Sequence, residues 1–556
     1  MTEGQREIAG GILVERSTLI AYNLSFSMHV AGAIELPALR TALNALVDRH
    51  EVLRASFDLE DATLTIGPQG GFELSENDLS RLGDQLAEAQ RDALLRDAAG
   101  APFDLTSGPL LRVLSLRLPE GHSELVLIVH HMVCDGWSAG VLMRDLAALY
   151  TAALEGRSAA MPPAEGISDL VEAEAQWRGS TEAEAHRRFW LDKYAGALPV
   201  MDLTFDKPHP VTTTTAAARV VTRLDDELEA ALRGVAQRAD TPLRNLIFAS
   251  FRYYLSMMVG SPDVTVGIPV AGQIAHGLDD IVAHGVSFLP VRATIERGAS
   301  LRDLLSQARR DMLEAVEHQN YTHGALVRDL QAPRSSARHL LAPVVVNIDG
   351  LADLESIALG AAPVRIEVNS TGHEFFDLFF NQFDAPGRVE LTWNYKTDLF
   401  LEATIQLHAG NVLALLRAIA ETPDAMDRPM AALLSQGRQI APASGEHADP
   451  GAAGPQTVTE VFRGVAATHA DKVAVRFGDQ TLTYAELDQR SDALAAMLAG
   501  SGVGPGQLVG ISSHRSLSLV VAVLGVLKAG AGYAPFDVSL PEDRLRFMAR
   551  DTGITV

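Results

Sequence analysis

The 556-residue chain holds one cysteine, Cys134, which excludes an internal disulfide framework and a Cys-rich zinc site. Cationic side chains are scarce: 46 Lys and Arg stand against 70 Asp and Glu, a formal net charge of −24. Such a surface repels nucleic acid and anionic membrane, so any anionic partner needs a local basic patch. No stretch approaches the ~18 consecutive apolar residues of a membrane span. The opening MTEGQREIAGG is charged and poor in large apolar residues, unlike a secretory leader. The reading is a cytoplasmic protein with neither a nucleic-acid partner nor a membrane span. Apolar residues are plentiful at 47%, enough for more than one packed core, and exclude disorder, collagen and coiled coil. At ~100–200 residues per domain, the length suggests about three to five folding units.

Within residues 36–57, Leu39, Ala42, Leu43, Leu46 and Val47 recur at helical spacing, with Pro37 suited to a first turn. Two apolar runs, 110–118 and 125–129, have the composition of buried strands, and the second leads straight into His130 and His131. Val141, Leu142, Leu146, Leu149 and Tyr150 then mark a helix. Beyond the Pro- and Gly-containing stretch at 161–166, helices are predicted over 243–258, 301–318 and 403–420, and strands over 263–269, 341–348, 375–380 and 388–393. This is an α/β pattern, and two lobes of comparable size fit it better than one sheet, with a boundary near 175–200. Residues 436–456 hold hardly any large apolar side chain and read as a linker. The last hundred residues carry strand and helix signals again and stop at DTGITV, inside what reads as an unfinished domain.

HHMVCDGWSAG, residues 130–140, is the most informative stretch. Alternation along a strand sends His130 and His131 to opposite faces, so one faces a given cavity and the other packs. An isolated His pair is usually a hydrogen-bonded sheet end; an Asp four residues on, followed by Gly, shifts the balance toward chemistry. An imidazole of near-neutral pKa accepts a proton from an amine or hydroxyl nucleophile, or holds that nucleophile in line. Asp135 is placed to orient the loop through an Arg, and Gly136 lets a backbone N–H approach a developing oxyanion. The arrangement suits acyl transfer.

Three other chemistries compete for nearby residues. Gly136-Trp137-Ser138-Ala139-Gly140 fits the G-x-S-x-G of a serine hydrolase, but Ser138 lies seven residues past His131, too far from its strand, and reads instead as a helix N-cap. Cys134 is a conceivable thiol nucleophile and more simply an inert core residue. His276, Asp279, Asp280 and His284 look metal-like but do not share one helix face, so a solvated loop is expected and no metal.

The pattern HHxxxDG, here His130 to Gly136, resembles the signature of the condensation domains of nonribosomal peptide synthetases and their chloramphenicol acetyltransferase-like relatives. RHEVLRASF (49–57), TPLRNLIFASFRYYL with DVTVGIPVAGQ (241–273), HGVSFLPVR (284–292) and YKTDLF (395–400) look like further family motifs in the expected order, so the resemblance covers residues 1–435. It implies two acetyltransferase-like lobes in a V-shaped pseudo-dimer, 1–180 and 181–435, with a tunnel reached by a donor carrier protein from one face and an acceptor carrier protein from the other. By the same resemblance His131 takes the tunnel-facing catalytic role, as general base or as the group that positions the amine, with Gly136 beside it. His130 packs, and Asp135 pairs with Arg54 or Arg292. Phe288, Leu289 and Pro290 are expected as donor-tunnel walls, with ordinary core as the alternative. No cofactor is bound directly: substrates are carried on the phosphopantetheine of carrier proteins, or the donor arrives as acyl-CoA. Two departures stand out: Ala9 where an aromatic is usual, and Ser287 where the fifth motif commonly has Asn.

TLTYAEL (481–487) and LKAGAGYAPFD (527–537) resemble the first two motifs of an adenylation domain, so residues 457–556 read as its α/β opening, and nucleotide binding is not expected of it alone. An adenylation domain downstream in cis favours condensation over an epimerase, which normally follows its carrier protein. A heterocyclising relative would show DxxxxD, and a noncatalytic docking module would not need His131, Asp135 and Gly136 intact. TEGQREI, SFLPVR, NYTHGALVRDL (320–330) and EFFDLFFN (374–381) look most like condensation domains that start a lipopeptide or follow a polyketide module. The expected donor is therefore a fatty acyl or polyketide chain, with a peptidyl donor as the alternative; with the sequence beginning at the condensation domain, no upstream carrier is expected in cis.

Overall fold

The computed structural model describes residues 1–436 and 457–536 apart from 70–71, 197, 200, 202, 208–213, 331–340, 349–356, 386, 479, 505–506 and 514–515, together with 546, 549 and 554. Residues 437–456 of the expected linker lie outside the described residues. Two compact units are present, Met1–Gly445 and Glu446–Val556.

The first unit is built on two six-stranded sheets. One runs in the order Ala358–Leu359, Ala362–Val368, Asn23–Val30, Ser123–His130, Leu111–Arg117, Leu74–Asp78. Ser123–His130 is buried at every position, which is why its sequence is an almost unbroken apolar run. Its exception, Glu124, is neutralised by Arg91, whose Nε and Nη2 donate to the carboxylate at 2.5 and 2.9 Å. Helices Leu36–Arg49 and Gly136–Leu154 pack on one another and bury Leu39, Leu43, Leu46, Val141, Leu142 and Leu146 in the first core. The helical pattern read within 36–57 stops at Arg49, and the chain goes on through a short turn into strand Ala55–Asp58.

The other sheet runs Ala217–Arg223, Arg388–Lys396, Leu378–Ala385, Val344–Asn347, Asp263–Ala271, Val286–Thr294. Helices Leu243–Val259, Leu301–Glu317 and Glu402–Glu421 supply the second core. Glu402–Glu421 is the one helix among the described residues long and apolar enough to cross a membrane, and its Ile405, Val412, Leu416 and Ile419 lie in that core. The strand expected from 375 begins only at Leu378, because the Glu374 carboxylate folds back to accept the Phe375 and Phe376 N–H groups at 2.8 and 3.3 Å.

The lobes are not two uninterrupted halves. Ile167 and Leu170 belong to the first core, Trp190 and Tyr194 to the second. Yet Ile281, Val282, Ala283, Ile357, Leu359 and Val364, all beyond residue 181, pack in the first core. Strand Ala362–Val368 lies antiparallel to Asn23–Val30, with Phe26 opposite Val368. It covers an edge that would otherwise leave a row of backbone groups unpaired.

In the second unit, strands Val473–Phe477 and Gln480–Thr483 pair antiparallel and Leu508–Ser512 and Gly532–Phe536 parallel. The TLTYAEL stretch is a helix entry: Thr483 caps Tyr484–Gly500 and Glu486 returns the bond, a complete capping box.

Candidate active site

Strand Ser123–His130 ends with His130 opposite Asn23. The chain then leaves the sheet, its His131 N–H donating to the Tyr22 carbonyl at 2.8 Å. Asp135 closes the loop as N-cap of helix Gly136–Leu154, its Oδ1 accepting the Ser138 N–H at 2.8 Å.

The two histidines differ sharply. His130 has no exposure, and its Nδ1 accepts the Met132 N–H at 3.1 Å, which puts the ring proton on Nε2. Burial pushes its pKa down to about 3, with His131 and Arg112 adding to the effect. It is a neutral packed ring between Tyr22 and Phe103, at centroid distances of 6.1 and 6.0 Å. His131 keeps partial exposure and stands edge-on to His284, 5.1 Å between centroids. Burial lowers the His131 pKa, while the Asp135 charge and the Cys134 carbonyl oppose that fall.

Several expectations need correction. Asp135 meets neither arginine: its carboxylate accepts from Ser138 N, from Gly285 N at 3.0 Å and from Gln273 Nε2 at 3.2 Å. Arg54 instead donates to the carbonyls of Val47, Asp48 and Gly67, bracing the turn after the Leu36–Arg49 helix. Arg292 forms a two-pronged ion pair with Asp263 at 3.0 and 2.7 Å. Ser138 is not the N-cap; it is buried, donates to the Ala283 carbonyl at 2.8 Å and accepts the Ala283 N–H at 3.1 Å, so its hydroxyl is tied up by a segment packed in the first core. His284 is 5% exposed rather than solvated. Among the described residues no group of three His, Cys, Asp or Glu could hold a metal.

Gly136 is exposed at the first position of its helix, and nothing lies within 4 Å of where a Cβ would stand. Its N–H is one of those that a helix start leaves without an intrahelical acceptor. The Cys134 thiol is buried, donates to the Asp135 carbonyl at 3.3 Å and is pushed up by burial and by Asp135, so it is no thiolate nucleophile.

Of the three expected wall residues, Phe288 keeps partial exposure and faces Phe376 at 5.0 Å. The rings continue from Phe376 to Phe375 and from Phe375 to Tyr22, each 5.5 Å between centroids. Leu289, on the opposite face of the strand, has no exposure and belongs to the second core. Pro290 is buried too, its carbonyl accepting the Tyr194 hydroxyl at 2.8 Å.

Sequence reasoning missed the first helix, Glu3–Val14, as part of the site. Gln5 Nε2 donates to the Met132 carbonyl at 2.8 Å and Thr2 Oγ1 to the His284 carbonyl at 3.1 Å. Its signal was present: Thr2 and Gln5 form a capping box.

Residues 15–439 match the family described as Condensation domain, and residues 462–556 that described as AMP-binding enzyme. One of the linear gramicidin synthase proteins of Brevibacillus parabrevis is 32% identical over 541 residues, 96% of this chain and 7% of its own length. Phosphinothricin tripeptide synthetase PhsC of Streptomyces viridochromogenes is 33% identical over 542 residues, 96% of this chain and 50% of its own. The chain thus spans half or less of the length of these relatives. A variant of the starter condensation domain of rhizomide synthetase RzmA, solved in complex with C8-CoA, superposes with a TM-score of 0.69 at 25% identity, covering 77% of this chain and 96% of that one. The four-domain nonribosomal peptide synthetase AB3403, bound to AMP and glycine, shares the fold at a TM-score of 0.66 and 20% identity, covering 100% of this chain and 43% of that one. The two sheets and their helices are the chloramphenicol acetyltransferase-like lobes of such domains, whose reaction is amide formation by acyl transfer. On the match over residues 15–439, the chain belongs to the condensation-domain family.

Proposed function

We propose that this chain joins an acyl thioester donor, fatty acyl or polyketide, to the α-amine of an aminoacyl thioester held on a carrier protein. The amine nitrogen attacks the donor carbonyl, the C–N bond forms, the C–S bond breaks, and the amine's proton ends on the released thiol. His131 takes or positions that proton, and the Gly136 N–H faces the oxyanion. The observation that carries this reading is the contrast between His130, sealed in the core, and His131, partly exposed at the head of the helix. Substrates ride on phosphopantetheine of carrier proteins, with acyl-CoA a second donor form. Holding both thioesters in line makes the step effectively unimolecular, worth several kcal/mol of barrier.

The apolar donor is supported by the rings of Tyr22, Phe375, Phe376 and Phe288, a surface on which an alkyl chain gains ~0.8 kcal/mol per buried CH₂. It is supported as well by the C8-CoA found in the rhizomide synthetase domain. Relatives named as gramicidin and tripeptide synthetases favour the second reading, a peptidyl donor. Competition between an octanoyl and a dipeptidyl thioester for one aminoacyl carrier separates the two: octanoyl product should dominate, and a dominant peptidyl product refutes the acyl donor.

A further inference from the structure

Three donors hold the Asp135 carboxylate and none is a cation: the N–H of Ser138 at 2.8 Å, that of Gly285 at 3.0 Å and Gln273 Nε2 at 3.2 Å. Among the described residues no Lys or Arg comes within ion-pair distance of it. Every contact uses Asp135 as an acceptor, the pattern of an ionised carboxylate, and this fixes the Gln273 amide with its nitrogen toward Asp135. Gln273 is fully buried, and a Cβ on Gly285 would lie 2.2 Å from its Oε1, so the amide is boxed in from the second lobe. Gly285 continues into His284, whose ring meets His131. The buried negative charge thus sits beside His131 with only neutral partners.

The other groups around His131 do not cancel it. The Cys134 thiol stays protonated, and His284 is held neutral by burial. His130 is neutral, and Arg112 acts on His130. From the first helix, Gln5 is an uncharged donor to Met132, while Glu7 acts on Tyr22, whose carbonyl receives the His131 N–H.

We propose that Gln273 is a positioning residue for the reaction: by holding Asp135 with a neutral amide, it leaves the carboxylate's charge free to strengthen the grip of His131 on the amine's proton. This rests on the reading of His131 as the group that handles that proton. The test uses the full chain with Gln273→Arg and Gln273→Met. Two quantities are followed: the His131 titration by NMR of labelled histidine, and the acid limb of kcat/KM for octanoyl transfer to an aminoacyl thioester. Q273M removes the amide that holds Asp135 without adding charge and should lower kcat/KM about tenfold while the His131 midpoint stays in place, whereas Q273R should move both the midpoint and the acid limb down by about one pH unit. Should Q273R fail to fold, Q273K supplies the cation on a thinner stem and D135N deletes the anion, and the same fall is expected. An unchanged His131 midpoint in folded Q273R, Q273K or D135N overturns the inference. A midpoint that falls while the acid limb stays fixed overturns His131 as proton acceptor but leaves its electrostatic coupling to Gln273 and Asp135 standing.

Discussion

His130 ends the strand and packs in the core, while His131 leaves the sheet and keeps partial exposure. Replacing His130 by Ala opens a hole between Tyr22 and Phe103 and should cost about 2–4 kcal/mol in urea unfolding. His131→Ala should keep the fold and lose amide formation. The buried ring also sets a pH dependence. Its folded pKa of about 3 lies below the unfolded value of about 6.5, so the unfolded chain binds the extra proton and stability falls as pH drops below 6.5. His130→Gln should flatten that fall by up to ~1.4 kcal/mol per pH unit between pH 6 and 4; an equal slope in variant and wild type would contradict the packed neutral ring. Asp135→Asn sets an amide N–H against the donors now facing a carboxylate and should cost about 2–3 kcal/mol, seen as a lowered melting temperature. The residue-scale site was half legible in the sequence. His130 and His131 stood out because they end an apolar run and alternate in face. The partners of Asp135 did not: Gln273 and Gly285 fall inside two of the recognised motifs, but they lie 138 and 150 positions away and nothing in either motif ties it to Asp135.

At the scale of elements, the buried strand Ser123–His130 depends on helix Asp84–Gly100 for the charge that offsets Glu124. Arg91→Met keeps the stem but strands that carboxylate, and a loss of about 3 kcal/mol is expected by denaturant unfolding. Strand Ala362–Val368 makes the complementary case. Val364, Ile366 and Val368 alternate with Arg365 and Glu367 at strand period, but nothing local names the partner, because Asn23–Val30 lies more than three hundred positions earlier and only the fold brings the two together. Hydrogen exchange should show the amides of Arg365, Glu367 and Asn369, which face strand Asn23–Val30, protected. Fast exchange at all three would remove the strand from the first sheet. The long helices were readable because 3.6-residue periodicity repeats over four or five turns. The strand start at Leu378 was not, because a single carboxylate turning back on its own backbone displaced it.

At the scale of the whole first unit, His131, the proposed proton-handling group, stands where the end of the first sheet, the first helix and the loop carrying His284 meet. The α/β pattern and two-lobe arrangement follow from composition and periodicity. The sharing of residues 281–283 and 357–364 between lobes follows only from the fold. The central claim is that this chain makes an amide and that His131 handles the proton. Its most direct measurement is the mass of product from the full chain, an octanoyl thioester and an aminoacyl carrier protein, run beside His131→Ala checked for native circular dichroism. N-octanoyl aminoacyl product from the wild type and at least a hundredfold less from the folded variant is the predicted result. Undiminished product from folded His131→Ala would contradict the account.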